Sequence, residues 1–345
     1  MIWEGIFLNN KNSLHFFLAS NSPQGFFSKM DIFSENLPKD WKCNIIKGSP
    51  GCGKSTYMKK LAKEFEDMNL NTEYIHCPSD PDSLDAVIFS DLKLCYVDGT
   101  APHVIDPVFP GISGEIIDLG KLKNNNNIIK NKEKIFELNK ICKEFYNRAQ
   151  KYLIAFSSVL SSSIEYSIEN INTKFVKKIS EKISKKFFKK SLSKCAKQSI
   201  RLISSFGPKG LLFLDQNLKF YENIYQINDD LNLVSDIIFK NILNLASERG
   251  YNTIACLNPL SLSEKIETLI IPELNLVFIT KNRWQKFASK SNEKKFLKFK
   301  IIDISELKSE IINEDIEILD LLILQAEKCM KNAFDFHVSL EKIYS

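Results

Sequence analysis

One run near the start of the chain, Gly48-Ser49-Pro50-Gly51-Cys52-Gly53-Lys54-Ser55-Thr56, constrains the fold more than any other. It fits G-x-x-x-x-G-K-[ST], a loop that wraps polyphosphate with backbone N–H groups. Side chains at Gly48, Gly51 and Gly53 would obstruct that approach. Residues 43–47 before it read as a short buried strand. Residues 55–68 after it read as a helix with Met58, Leu61, Ala62 and Phe65 on one face. Strand, glycine loop and helix is the setting that separates a phosphate loop from a plain Gly-rich turn. The first turn of such a helix adds unpaired donors and a positive dipole end. Lys54 would reach the β- and γ-phosphates as a point charge, and the Ser55 hydroxyl is placed to ligand Mg²⁺. The run 48–56 is therefore the expected binding site for ATP or another NTP with Mg²⁺.

The next segments extend this pattern. Residues 72–77 read as a second strand, 84–89 as a short apolar piece of helix or strand, and 92–98 as an apolar strand ending in Asp98. Short connections of this kind predict an α/β fold with a parallel, helix-covered sheet. Ligands bind such sheets at the carboxyl ends of the strands, where 48–56, 78–85 and 98–103 fall. An acid ending a hydrophobic strand is the Walker B arrangement, so Asp98 joins Ser55 as a metal-site residue and Lys54 as a catalytic one. His103 is a third catalytic candidate, sensing phosphate or moving a proton, or else a structural histidine of the loop. Asp80, Asp82 and Asp85 could orient a water, bind substrate or cap a short helix.

With 345 residues, the chain has room for two modest domains. No run of about 18 apolar residues is present, and the N-terminus lacks a secretory pattern, so a cytoplasmic protein is expected. The eight cysteines form no C-x-x-C pair, which argues for free thiols and against a zinc ribbon. Cys52 lies inside the glycine loop, as a small filler or a redox-sensitive gate. His15, His76 and His337 lack metal-ligand spacing.

The net charge of +5 hides an asymmetry, because residues 121–199 hold 19 Lys/Arg against 6 Asp/Glu. Residues 132–167 and 171–197 both have helical periodicity, and together they predict an antiparallel hairpin. The second carries Lys174, Lys177, Lys178, Lys182, Lys185, Lys186, Lys189 and Lys190 opposite its apolar side. That face is either solvated or a contact for nucleic acid or an anionic membrane.

The two halves also resemble one another. Residues 17–27 match 202–212, and 85–94 match 267–276, at nearly constant offset. An internal duplication is therefore expected. The stretch aligned with the glycine loop, 232–240, contains no glycine, and Thr280 stands at the place of Asp98. The second copy is expected to have lost nucleotide chemistry. The expected units are a P-loop domain at 1–120, a basic hairpin at 121–199, a degenerate copy at 200–310 and a C-terminal helix at 311–345.

The runs Tyr74-Ile75-His76-Cys77-Pro78-Ser79-Asp80-Pro81-Asp82-Ser83-Leu84-Asp85 and Val97-Asp98-Gly99-Thr100-Ala101-Pro102-His103 resemble an uncharacterised bacterial family of tandem P-loop NTPases, taken to be ATPases. The resemblance covers both halves, and Asp-Gly-Thr-Ala-Pro-His is its most specific element. It implies a cytosolic P-loop NTPase fold, usually with two P-loops. This chain departs from it in lacking the second glycine loop.

Only four arginines are present, Arg148, Arg201, Arg249 and Arg283, and none precedes Arg148. Phosphoryl transfer usually needs cationic charge on the γ-phosphate besides the loop lysine, which makes Arg148 the best internal finger. Otherwise a lysine, the second copy, a protein partner or a second subunit would supply it. The leading expectation is Mg-dependent NTP hydrolysis coupled to a partner or a conformational change. The alternatives are a small-molecule or nucleotide kinase, and a non-catalytic nucleotide-gated interaction protein.

Overall fold

The computed structural model describes residues 13–34, 36–101, 104–122, 125–169, 171–192, 195–261, 264–288, 299–304, 311 and 313–344. It is a mixed α/β structure built around two six-stranded sheets. The first half contains β1 (Ser13–Phe16), β2 (Ala19–Ser22), β3 (Gly25–Ser28), β4 (Lys42–Lys47), α1 (Lys54–Asp67), β5 (Thr72–His76), β6 (Leu84–Phe89), β7 (Leu94–Asp98) and β8 (Ile116–Asp118). Three helices follow: α2 (Asn125–Lys130), α3 (Lys132–Ile168) and α4 (Thr173–Phe187). Then come β9 (Gln198–Arg201), β10 (Ser204–Gly207), β11 (Gly210–Phe213), β12 (Asn223–Asn228), α5 (Val234–Glu248), β13 (Thr253–Leu257), β14 (Ile266–Ile271), β15 (Leu276–Lys281), β16 (Gln285–Phe287), β17 (Phe299–Ile301) and α6 (Asn313–Tyr344).

The first sheet has the order β1-β5-β6-β7-β4-β8, and the second β9-β13-β14-β15-β12-β17 when read from its other edge. Each strand of one occupies the place of a strand in the other, and every neighbouring pair keeps its direction. Even the register shift recurs, between Ile75 and His76 in β5 and between Cys256 and Leu257 in β13.

Neither sheet is wholly parallel, in contrast to the parallel sheet that the short connections predict. β6 runs antiparallel to both β5 and β7. A single 3₁₀ turn at Ser90–Leu92 returns the chain, closed by Lys93 in the left-handed region at φ 52°. Asn275 at φ 50° closes the matching turn at Pro272–Leu274. A connection this short can only join antiparallel strands, since a parallel crossover takes a dozen or more residues.

The central core lies between the sheets. Phe16, Ile45, Ile75, Ile88 and Val97 of the first half share one buried cluster with Leu202, Ile254, Ile270, Val277 and Ile279 of the second. The opposite face of the first sheet is covered by α1 through Met58 and Ala62. The opposite face of the second is covered by α5, with Val176 and Ile183 of α4 packed into the same cluster.

The expected hairpin of α3 and α4 does not form. α3 pairs instead with α6, antiparallel, with Ile135 and Leu138 against Leu340 and Ile343 at one end. Phe156 and Leu160 meet Leu319 and Ile323 at the other. Length decides the partner. At 1.5 Å per residue the apolar stripe of α3 runs about 55 Å, and α6 covers about 48 Å where α4 covers about 22 Å. α3 of the basic segment and the C-terminal helix therefore pack on each other along their length. α4 ends at Phe187, so Lys189 and Lys190 lie beyond the helix.

Candidate functional site

β4 delivers the chain into residues 48–53, and α1 begins at Lys54. Gly51 and Gly53 take φ values of 73° and 92°, which side chains disfavour. A Cβ on Gly48 would stand 2.4 Å from Cys52 Sγ, so a side chain there would have to displace the Cys52 thiol. No side chain caps the start of α1 and no acid lies in its first turn. Its N–H groups and positive dipole end are left for an anion.

Lys54 is buried, and its ammonium donates to the carbonyl oxygens of Gly48 and Ser49, each at 3.0 Å. It also lies 3.5 Å from Asp98 Oδ2. β7 is the direct parallel neighbour of β4, with Ile46 opposite Asp98, and this pairing brings the strand-ending acid to the loop. Asp98 Oδ1 accepts hydrogen bonds from the backbone N–H and the hydroxyl of Thr100. Lys47 Nζ donates to the carbonyls of Gly99 and Ile105 at 2.8 and 2.7 Å and pairs with Asp106 at 2.9 Å, holding the segment after β7. The Ser55 hydroxyl accepts the N–H of Leu84 at 3.0 Å, tying the start of β6 to the start of α1. Cys52 Sγ stands 3.9 Å from Lys54 Nζ. Ser49, Pro50 and Cys52 are half-buried, and Thr56 is exposed on the first turn of α1.

The acids at 80–85 cap no helix, because Leu84 opens a strand. Ser83 donates to Asp80 within the turn, and Asp82 pairs with Lys209 of the second half at 2.9 Å. Asp85 is buried, and its carboxyl is pushed up to about 7 by burial and by the charge of Asp98, with Lys54 pulling the other way. An acid inside the otherwise apolar run 84–89 was the sequence signal for this site residue. His103 lies outside the described residues.

Each arginine is committed to another contact. Arg148 is exposed on α3, where it bonds Tyr152 on the same helix. Arg201 pairs with Glu73. Arg249 donates to the Phe188 carbonyl, and Arg283 Nε lies 3.9 Å from Asp320. None of these contacts reaches residues 48–56. His15 and His76 form a half-buried pair at 2.9 Å, and His76 also bonds the Pro81 carbonyl at 2.7 Å. Burial holds the His15 imidazole down to about 3.

The corresponding corner of the second half is built differently. The β12–α5 connection is residues 229–233, one residue shorter than 48–53, while most of 232–240 lies in α5. The residue matching Gly48 is therefore Asp229 and not Asn232, since no glycine anchors the alignment of the two sequences here. Asp229 Oδ2 accepts hydrogen bonds from both the N–H and the hydroxyl of Ser235 at 2.9 Å. A carboxylate of the chain itself thus occupies the start of α5, where α1 presents free donors. Asp236 Oδ1 takes the Ile266 N–H at 2.8 Å, the role Ser55 plays toward Leu84. Among the described residues no helix is long and apolar enough to cross a membrane. All eight cysteines are free thiols.

No protein-family model, curated protein or solved structure matches this chain.

Proposed function

We propose that residues 48–56 together with Asp98 form a single Mg-dependent NTP site, ATP being the expected nucleotide, on a duplicated P-loop chain whose second copy is silent. The observation that carries this reading is the position of Lys54. Its ammonium is held over the glycine loop by two loop carbonyls and by the acid ending the neighbouring strand, at 3.0, 3.0 and 3.5 Å. Polyphosphate oxygens would exchange for those carbonyls, with the N–H groups of the loop and of α1 beneath them. The Ser55 hydroxyl and Asp98 carboxylate are hard oxygen donors and suit Mg²⁺, which would neutralise charge on the phosphates. The matching strand orders and the recurrent register shift support the duplication. Together they agree with the tandem P-loop family that the Asp98–Gly99–Thr100 segment resembles.

The arginine contacts favour slow intrinsic turnover. With Arg201, Arg249 and Arg283 engaged elsewhere and Arg148 on its own helix, stabilising charge at the γ-phosphate has to come from a lysine, a protein partner or a second subunit. The same contacts favour, as a second reading, a nucleotide-gated interaction protein with negligible hydrolysis.

Titration of the full chain with Mg-ATP by calorimetry tests the site. Lys54→Ala should abolish binding, and an unchanged affinity would overturn the assignment. Phosphate release by the wild type separates the two readings.

A further inference from the structure

The most uniformly charged feature of the surface is the outer face of α4. Lys174, Lys177, Lys178, Lys182, Lys185 and Lys186 are all exposed, as are Lys189 and Lys190 just past its end, and Glu181 is the lone acid of the helix. Lys174, Lys178, Lys182 and Lys186 follow one another at i, i+4 spacing, so like charges repel along one row. None of the eight pairs with an acid among the described residues. A face that served only to keep the helix in water would normally mix signs. The row Lys174, Lys178, Lys182 and Lys186 keeps a single sign against its own repulsion.

We propose that this face binds the phosphate backbone of nucleic acid without reading sequence. The helix spans about 22 Å, over which a duplex presents about 13 phosphate charges. Lysines at this spacing meet such a charge array without base contacts, which is the chemistry of non-specific backbone binding. The patch continues past the helix. Lys186 donates to the Tyr225 hydroxyl at 2.6 Å, and Lys186 and Lys300 flank the Tyr225 ring at 5.3 and 5.4 Å.

An anionic membrane fits less well. Helices that adsorb to bilayers bury an apolar face in the interface. The apolar face of α4, Val176 and Ile183 with Phe188 just beyond, is already buried against α5. Between Ile168 and Ile301 no large hydrophobic side chain is highly exposed among the described residues.

The lysine face belongs to the second half, on the helix that covers α5, and the inference is independent of the nucleotide reading. Fluorescence anisotropy of a labelled 20-base-pair DNA duplex and a 20-nucleotide RNA, from 25 to 200 mM KCl, tests it on the full chain. Binding to at least one should weaken with a slope of log K against log salt of about −4 to −6, as expected for five to seven phosphates. Replacing Lys174, Lys178, Lys182 and Lys185 by Gln should weaken binding at least 100-fold at 25 mM KCl and flatten the slope by about 3. Circular dichroism should report an unchanged fold, because these side chains are exposed and pair with no acid among the described residues. Lys54→Ala should bind the oligonucleotides as the wild type does. Absence of wild-type binding at 25 mM KCl, or an unchanged slope in the four-lysine variant, would overturn the proposal. So would binding to phosphatidylserine vesicles without binding to either oligonucleotide, which would assign the face to a membrane.

Discussion

Phe17 and Leu202 exchange both of their backbone hydrogen bonds, Phe17 N–H to the Leu202 carbonyl at 2.8 Å and Leu202 N–H to the Phe17 carbonyl at 3.0 Å. Each is the residue that follows the edge strand of its own half, β1 or β9. A residue pairing with its own counterpart is what a two-fold axis through the bridge requires. The two sheets, their hairpins β2–β3 and β10–β11, and the antiparallel α3 and α6 are disposed about it. The site therefore sits on one arm of a nearly symmetric frame, and the departures from symmetry show where the halves took different roles.

One departure adjoins that bridge. Arg201 and Glu73 form a buried two-point ion pair, with Nη2 to Oε2 at 3.2 Å. By the registers of β1 with β5 and β9 with β13, their counterparts are Phe16 and Ile254, both in the central core. The opposite arm thus has an apolar pair at this place. Arg201→Met should cost about 3–5 kcal/mol, because it leaves the Glu73 charge buried and alone. Adding Glu73→Leu should recover most of that loss by rebuilding the apolar version. Urea unfolding of the three proteins checks this, and a double variant no more stable than Arg201→Met would refute it.

A second contact links the second half to the segment beside the glycine loop. A Cβ on Gly207 would lie 2.2 Å from the Pro78 carbonyl oxygen, a backbone atom that cannot swing aside. The segment after Pro78 bonds Tyr146 through Ser79 at 3.4 Å and leads to Leu84, which is bonded to Ser55. Gly207→Ala should push this segment outward and cost about 1–3 kcal/mol. It should also weaken Mg-ATP binding although residue 207 lies outside the site. Calorimetry beside thermal melting tests the pairing of effects. A variant that melts early yet binds nucleotide normally would show that the segment does not position the site.

Much of the site was legible in the sequence because its signals are local. Glycine spacing, flanking periodicity and an acid at a strand end placed 48–56 and Asp98 at the same edge of the sheet. Non-local choices were not legible. The run 84–89, apolar except for Asp85, suits helix or strand, and the left-handed turn at Lys93 that reverses β6 has no glycine to announce it. α3 carries an apolar stripe that two later helices could cover, and only their lengths in the folded chain decide between them. Asp229 was missed because a carboxylate that fills a helix N-terminus looks in sequence like any loop acid.

Asp229 fills the start of α5, and whether it alone keeps nucleotide from the second half can be tested. Its carboxylate holds the Ser235 N–H and hydroxyl, donors at the start of α5. Asp229→Ala should leave both buried and unmet, costing about 1–3 kcal/mol. It should not create nucleotide binding, because residues 229–233 contain no glycine and cannot bring successive N–H groups onto a phosphate. In a Lys54→Ala background, Asp229→Ala should therefore show no Mg-ATP heat. A measurable heat there would mean that the carboxylate alone blocks a latent site.

Glu267 takes the place in β14 that Asp85 takes in β6, since Thr268 faces Ile279 as Ala86 faces Val97. Both acids are buried, and burial pushes the Glu267 carboxyl up to about 8 from 4.5. The folded chain then holds a proton that the unfolded chain releases above pH 4.5, so this group subtracts stability as pH rises from 4.5 to 8. At 1.36 kcal/mol per pH unit the penalty approaches an upper bound of about 5 kcal/mol at pH 8 and is below about 1 kcal/mol at pH 5. Glu267→Gln keeps the shape and an oxygen acceptor for Gln285 Nε2, which bonds Glu267 Oε2 at 3.1 Å. The stability of the variant relative to the wild type should therefore climb between pH 5 and pH 8. Urea midpoints at the two pH values measure the climb, and a difference independent of pH would mean that Glu267 is already ionised in the folded chain at pH 5.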